Sequence, residues 1–127
     1  MTFVDTNYFL RFLLGDHQLH NAAARALFDD AAHGKIQLMT SVLVFFEVSW
    51  VLSSFYGKKK VELIVLITDI LNLEFIELEE RSILEDALLV FRSKTIELED
   101  AYNLVYAKRH NARHFATFDK KLAKLWS

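Results

Sequence analysis

Residues 3–7 read FVDTN (Phe3, Val4, Asp5, Thr6, Asn7), and the fold turns on how this stretch is read. Phe3 and Val4 suit a short buried strand. Thr6 or Asn7 suits the N-cap of the helix that the apolar residues from Tyr8 to Leu14 imply. Asp5 thus stands where a strand hands over to a helix. An Asp in that position commonly caps the helix. Strand ends of this kind also build the active sites of α/β proteins. Asp5 alone does not separate the two roles, and carboxylates elsewhere at matching places are needed.

Working outward, the chain alternates short apolar runs with longer helical patterns. Strands are expected at 2–5, 35–39, 74–78 and 114–118. Helices are expected at 7–14, 18–33, 41–55, 59–72, 80–92, 98–110 and 119–126. Proline is absent, so glycines and polar clusters mark the breaks. Gly34 suits the C-terminal end of the second helix. Strands that alternate with one or two helices imply a mainly parallel sheet covered on both faces. No repeat, low-complexity segment or linker interrupts the 127 residues, which is the length of one domain.

Composition narrows the class. The chain is 53% hydrophobic and 25% charged, which excludes disorder. It has no cysteine, so thiol catalysis, disulfides and Cys-based zinc sites are excluded, and a reducing cytoplasm suits it. Asp5 and Arg11 break the N-terminal apolar run, so no signal peptide is expected. Residues 36–57 form an apolar span long enough to cross a membrane, but Glu47 lies at their middle. An ionised carboxylate at a bilayer centre costs roughly 3 kcal/mol or more, so a buried strand and a buried helix account for the run better. The formal net charge is −2, unlike that of a globally basic nucleic-acid binder. Nucleic acid, if bound, meets a local patch or the groove of an oligomer.

Three further acids stand out. Glu47 lies in VLVFFEVSW (42–50), a helix apolar nearly all round and therefore expected to be buried. A carboxylate there needs a salt bridge or a bound cation, unless it just reaches the surface. Asp100 lies near the start of the helix in IELEDAYNLVYAKRH (96–110), where it favours the helix dipole. Asp119, in HFATFDKKL (114–122), repeats the strand-to-helix position of Asp5. With parallel strands, Asp5 and Asp119 fall at one sheet edge, and the helix carrying Glu47 leaves that edge. Four carboxylates in one place repel unless a divalent cation holds them. Oxygen ligands select hard ions such as Mg²⁺ or Mn²⁺, and a metal held with open positions suits in-line attack on a phosphodiester.

With these residues in order, the chain resembles the PIN-domain ribonucleases of the VapC toxin type. The resemblance rests on FVDTN, TSVLVFFEV and EDAYNLVYAKRHNARHFATFD, and the spacing of Asp100 and Asp119 suits the last two acids of the family. It implies an α/β fold, a PIN-like (RNase H-like) three-layer sandwich. Its mainly parallel sheet would have four to five strands with helices on both faces, in a single domain over 1–127. It implies that Asp5, Glu47, Asp100 and Asp119 bind one or two Mg²⁺ or Mn²⁺ ions and are catalytic. Thr6, Asn7 and Thr117 match polar positions lining the pocket. The implied activity is metal-dependent endoribonuclease cleavage by the toxin of a type II toxin–antitoxin pair. The implied partners are an RNA substrate and a cognate antitoxin. The chain departs from the family at Phe118, where a polar residue is common.

Two other classes compete. One is a catalytically inactive PIN-like binding module, which the presence of all four acids disfavours. The other is a receiver-like phosphoryl-acceptor domain, which requires adjacent acids after the first strand where this chain has VDTN. His17, His20, His110 and His114 read as surface or packing residues. Gly57 to Lys60 (GKKK) reads as a solvated helix start, with contact to RNA phosphates alongside Lys108, Arg109, Lys120 and Lys121 as the weaker alternative. Glu97 and Glu99 read as solvated charge beside Asp100. Phe45, Phe46, Trp50, Phe75 and Phe91 read as core. The helix over 59–72 has more apolar residues than one buried face needs. Its surplus, Val61, Ile64 and Val65 with Thr68, is expected to form a homodimer contact.

Overall fold

The computed structural model describes all 127 residues. They divide into two compact units, Met1–Glu79 and Glu80–Ser127, each described by itself.

The first unit contains β1 (Thr2–Phe3), α1 (Thr6–Leu14), α2 (Gln18–Ala32), β2 (Leu38–Thr40), α3 (Val42–Ser54), α4 (Lys60–Leu71) and β3 (Ile76–Leu78). The strands form one parallel sheet in the order β1-β2-β3. Parallel neighbours cannot be joined by a tight turn, and each crossover here carries two helices. In β2 and β3 the side chains alternate. Leu38, Thr40, Ile76 and Leu78 are buried, while Met39 and its register partner Glu77 are exposed. Phe9, Phe45, Val48, Leu52 and Ile67 of the helices are buried as well. Phe28 of α2 joins that core, its ring 4.9 Å from Phe12 and 5.7 Å from Phe9. Truncation of Phe28 to Ala is expected to cost about 3–5 kcal/mol through the cavity it leaves.

The helix ends show why the elements stop where they do. Asp5, not Thr6 or Asn7, is the N-cap of α1, and its Oδ1 accepts from the Thr6 N–H at 2.8 Å. Gly15 closes α1 in the left-handed region at φ 62°, a conformation that favours glycine. Ser41 caps α3 by accepting from the Val44 N–H. The long apolar run over 36–57 therefore resolves into β2 and α3, and no helix is long and apolar enough to cross a membrane.

The second unit contains α5 (Arg81–Ser93), α6 (Leu98–Arg109) and α7 (Lys120–Trp126). Its helices pack through Ile83, Leu84, Ala87, Phe91, Leu98, Ala101 and Leu104, all buried. The Tyr102 hydroxyl donates to Glu80 Oε1, which ties α6 to the start of α5. Arg109 reaches back from the end of α6 to Asp86 and Ser82 on α5.

One expected strand does not form. Residues 114–118 are irregular, so the sheet has three strands and not four or five. Phe115 instead packs its ring 5.4 Å from Trp126 of α7, and Phe118 is fully exposed. The alternation in HFATF favours an extended backbone, but a strand also needs a partner's N–H and C=O groups.

Candidate active site

Because β1 and β2 are parallel and adjacent, the helices that follow them begin side by side. The Val4 N–H donates to the Met39 carbonyl at 2.8 Å, and the Thr40 hydroxyl donates to the Val4 carbonyl at 2.8 Å. These bonds fix the end of β1 against the end of β2. The chain then enters α1 through Asp5 and α3 through Ser41. The second turn of α3 carries Glu47, and the first turn of α1 carries Thr6. Thr6 is buried, and its hydroxyl donates to Glu47 Oε1. Its backbone N–H already binds Asp5. One residue therefore ties the two carboxylates together.

Glu47 lies on an exposed face of α3, not in a buried one. The same face carries Leu43 (78% exposed) and Trp50 (61% exposed), so Trp50 is not a core residue. Phe45 and Phe91 are buried as expected, while Phe46 and Phe75 are half-buried. A helix apolar nearly all round gives no periodic signal for which face meets the core. Neither Asp5 nor Glu47 takes part in an ion pair. Arg11 pairs with Asp16, and Lys58 pairs with Glu62. Both carboxylates are exposed and keep one oxygen each outside the hydrogen bonds to Thr6.

In the second unit, Asp100 is half-buried in the first turn of α6, beside Glu99. Glu97, the N-cap residue, makes no side-chain cap bond and is exposed. Asp119 caps α7, its Oδ1 accepting from the N–H groups of Lys121 at 2.8 Å and Leu122 at 3.1 Å. The Thr117 hydroxyl oxygen accepts from the Asp119 N–H at 3.0 Å. Lys121 donates to the Thr95 carbonyl at 2.8 Å, which secures the start of α7. Within neither unit do three His, Asp or Glu side chains gather into a group that could hold a metal ion. The donor set nevertheless fits a hard cation. Asp5 and Glu47 offer anionic oxygens, unpaired with any base and tied to a common residue.

The first unit also contains a cavity of about 360 Å³ lined by Asn7, Tyr8, Arg11, His20 and Ala23. Asn7 is also one of the residues that the family resemblance implies line the pocket of the acids, but none of the four acids lines this cavity. Tyr8 and Arg11 are legible in principle, since with Asn7 they share a helical face at i, i+3 and i, i+4 spacing. His20 reaches the cavity from α2 and has no local signal. His17 and His20 stack on each other, with ring centroids 3.8 Å apart. His110 packs on Tyr106 at 4.0 Å, and His114 is exposed.

A search of curated protein sequences returned no match. The family model for the PIN domain matches residues 2–125, running through both units. PIN domains are generally nucleases and typically use divalent metals. From FVDTN to α7, the chain belongs to the PIN-domain family.

Proposed function

We propose that this PIN-domain protein is a metal-dependent endoribonuclease of the VapC type, the toxin of a type II toxin–antitoxin pair acting in the cytoplasm. The observation that carries the reading is Thr6, which bonds Asp5 through its N–H and Glu47 through its hydroxyl. Two expectations compete for Glu47: a salt bridge, for which it has no partner, and a side chain that simply reaches the surface, which its exposure matches but which does not account for its bond to Thr6.

In this reading Asp5, Glu47, Asp100 and Asp119 are the catalytic and metal-holding acids, and the domain is one functional whole over 1–127. Mg²⁺ or Mn²⁺, when bound, supplies a Lewis acid and lowers the pKa of water. Thr6 holds Glu47 in one rotamer. Asp119, with one oxygen committed to its cap, has the other free to orient water. Asn7 and Thr117 line the pocket. The substrate is RNA, and a cognate antitoxin is the expected protein partner. A homodimer is supported by the outer side of α4, where Val61 is 77% and Val65 57% exposed. Thr68 is exposed there too, and Ile64 is half-buried.

The test is a gel assay of RNA cleavage with Mg²⁺ or Mn²⁺. Wild type is expected to cleave and Asp5→Asn to be inactive while still folded. Full activity in Asp5→Asn would overturn the site.

A further inference from the structure

We propose that the cavity beside the first turn of α1 is a nucleobase subsite, which holds a base of single-stranded RNA next to the cleaved bond. The proposal rests on the ribonuclease reading and names how that site selects its substrate. The cavity volume, about 360 Å³, is in the range of small-molecule sites. Two aromatic residues, Tyr8 and His20, line it together with Asn7, Arg11 and Ala23, and the His20 ring stacks on His17 at 3.8 Å between centroids. Tyr8 is 42% exposed, so its ring is open to an incoming base.

The charge balance favours a base over a bare phosphate. Arg11 donates to Asp16 Oδ1 at 2.8 Å and to the Tyr56 hydroxyl at 2.8 Å. The positive charge is thus met within the protein. The two bonds take two of the five guanidinium donors and leave the rest for hydrogen bonding. Asn21 also fixes this wall by donating to the Arg11 carbonyl at 2.8 Å. A neutral, planar, hydrogen-bonding ring suits such a pocket. Unstacked RNA bases are recognised in this way, by aromatic stacking and by amides on their edges. Asn7 and Tyr8 follow Asp5 by two and three residues, in the first turn of the helix that Asp5 caps. The cavity is thus lined from the helix that this carboxylate caps.

Fluorescence anisotropy with short single-stranded oligoribonucleotides of A, C or U, in EDTA to prevent cleavage, tests this directly. Wild type is expected to bind the three with unequal affinity. Tyr8→Ala is expected to weaken the tightest roughly tenfold and to level the three, as loss of one stacked base would. Tyr8→Phe keeps the ring and should bind as wild type does. Circular dichroism verifies that both variants fold. Equal affinities in wild type, no binding at all, or a base preference untouched by Tyr8→Ala would overturn the subsite. If RNA is still cleaved in an Asp5-dependent way, the nuclease reading survives that failure. A Tyr8-dependent base preference without metal-dependent cleavage would uphold the subsite and sink the nuclease.

Discussion

The Thr6 hydroxyl is hydrogen-bonded to Glu47, a residue 41 positions away in the chain. The bond joins the first turn of α1 to the second turn of α3. It exists because β1 and β2 run parallel and deliver both helices to one edge. Thr6→Val removes the hydroxyl at nearly constant volume. Glu47 is exposed and regains water, so the fold should lose only about 1 kcal/mol. Cleavage should fall roughly 10- to 100-fold, with Mn²⁺ binding weakened in parallel, if the bond to this charged group holds the ligand in place. Thr6→Ser should restore both. Mn²⁺ titration and initial rates measure the effect, and unchanged Mn²⁺ affinity in Thr6→Val would leave Thr6 a packing residue only.

Glu47→Gln and Asp100→Asn should each abolish RNA cleavage with the fold retained. Asp119→Asn should be milder, because in the proposed reading Asp119 serves to orient water, and Asn keeps the α7 cap. Asp119→Ala loses the cap as well and should cost about 1 kcal/mol of stability. Comparing the two Asp119 variants by melting and by rate separates the cap from the chemistry.

Metal should stabilise the folded protein by mass action. Mn²⁺ at a hundredfold excess over its dissociation constant is expected to add about 2.7 kcal/mol. Asp5→Asn still caps α1, so in EDTA it should melt within about 0.5 kcal/mol of wild type. It should gain much less from Mn²⁺. A full Mn²⁺ shift in Asp5→Asn, read by thermal melting, would make Asp5 a helix cap and nothing more.

Tyr102 supplies a pH signature. Burial first, then the hydrogen bond from its hydroxyl to Glu80 and that residue's negative charge, push the phenol well above its ordinary range. Above pH ~10 the native state therefore keeps a proton that the unfolded chain releases, and stability falls as pH rises. Below that pH the contribution is fully present. Tyr102→Phe should cost about 1 kcal/mol at neutral pH, a modest figure because the pair is only partly buried. It should also flatten the alkaline decline. Denaturant melts from neutral to strongly alkaline pH provide the check.

The outer side of α4 tests the dimer. Val61→Glu with Val65→Glu places two like charges on an exposed face and should leave the monomer folded. Light scattering at micromolar concentration should report dimer for wild type and monomer for the double variant. A wild type that is monomeric throughout would remove the dimer from the functional reading.

The parts of this protein legible in its sequence are those determined by neighbours along the chain. Asp119 caps the helix that follows it, Gly34 takes left-handed backbone at a helix end, and the alternation of β1 to β3 with paired helices implies a parallel sheet. Each depends on a few adjacent residues, so its signal is local. The tertiary structure alone decided the rest. Residues 114–118 have the pattern of a strand but no ladder, since pairing depends on another segment's backbone. Glu47 and Trp50 face water because α3, apolar nearly all round, takes its orientation from the sheet and not from its own periodicity. His20 reaches the cavity of Tyr8 and Arg11, and Thr6 reaches Glu47, through packing between helices. A contact across tens of residues is set by which surfaces bury together, and nothing adjacent in the chain records it.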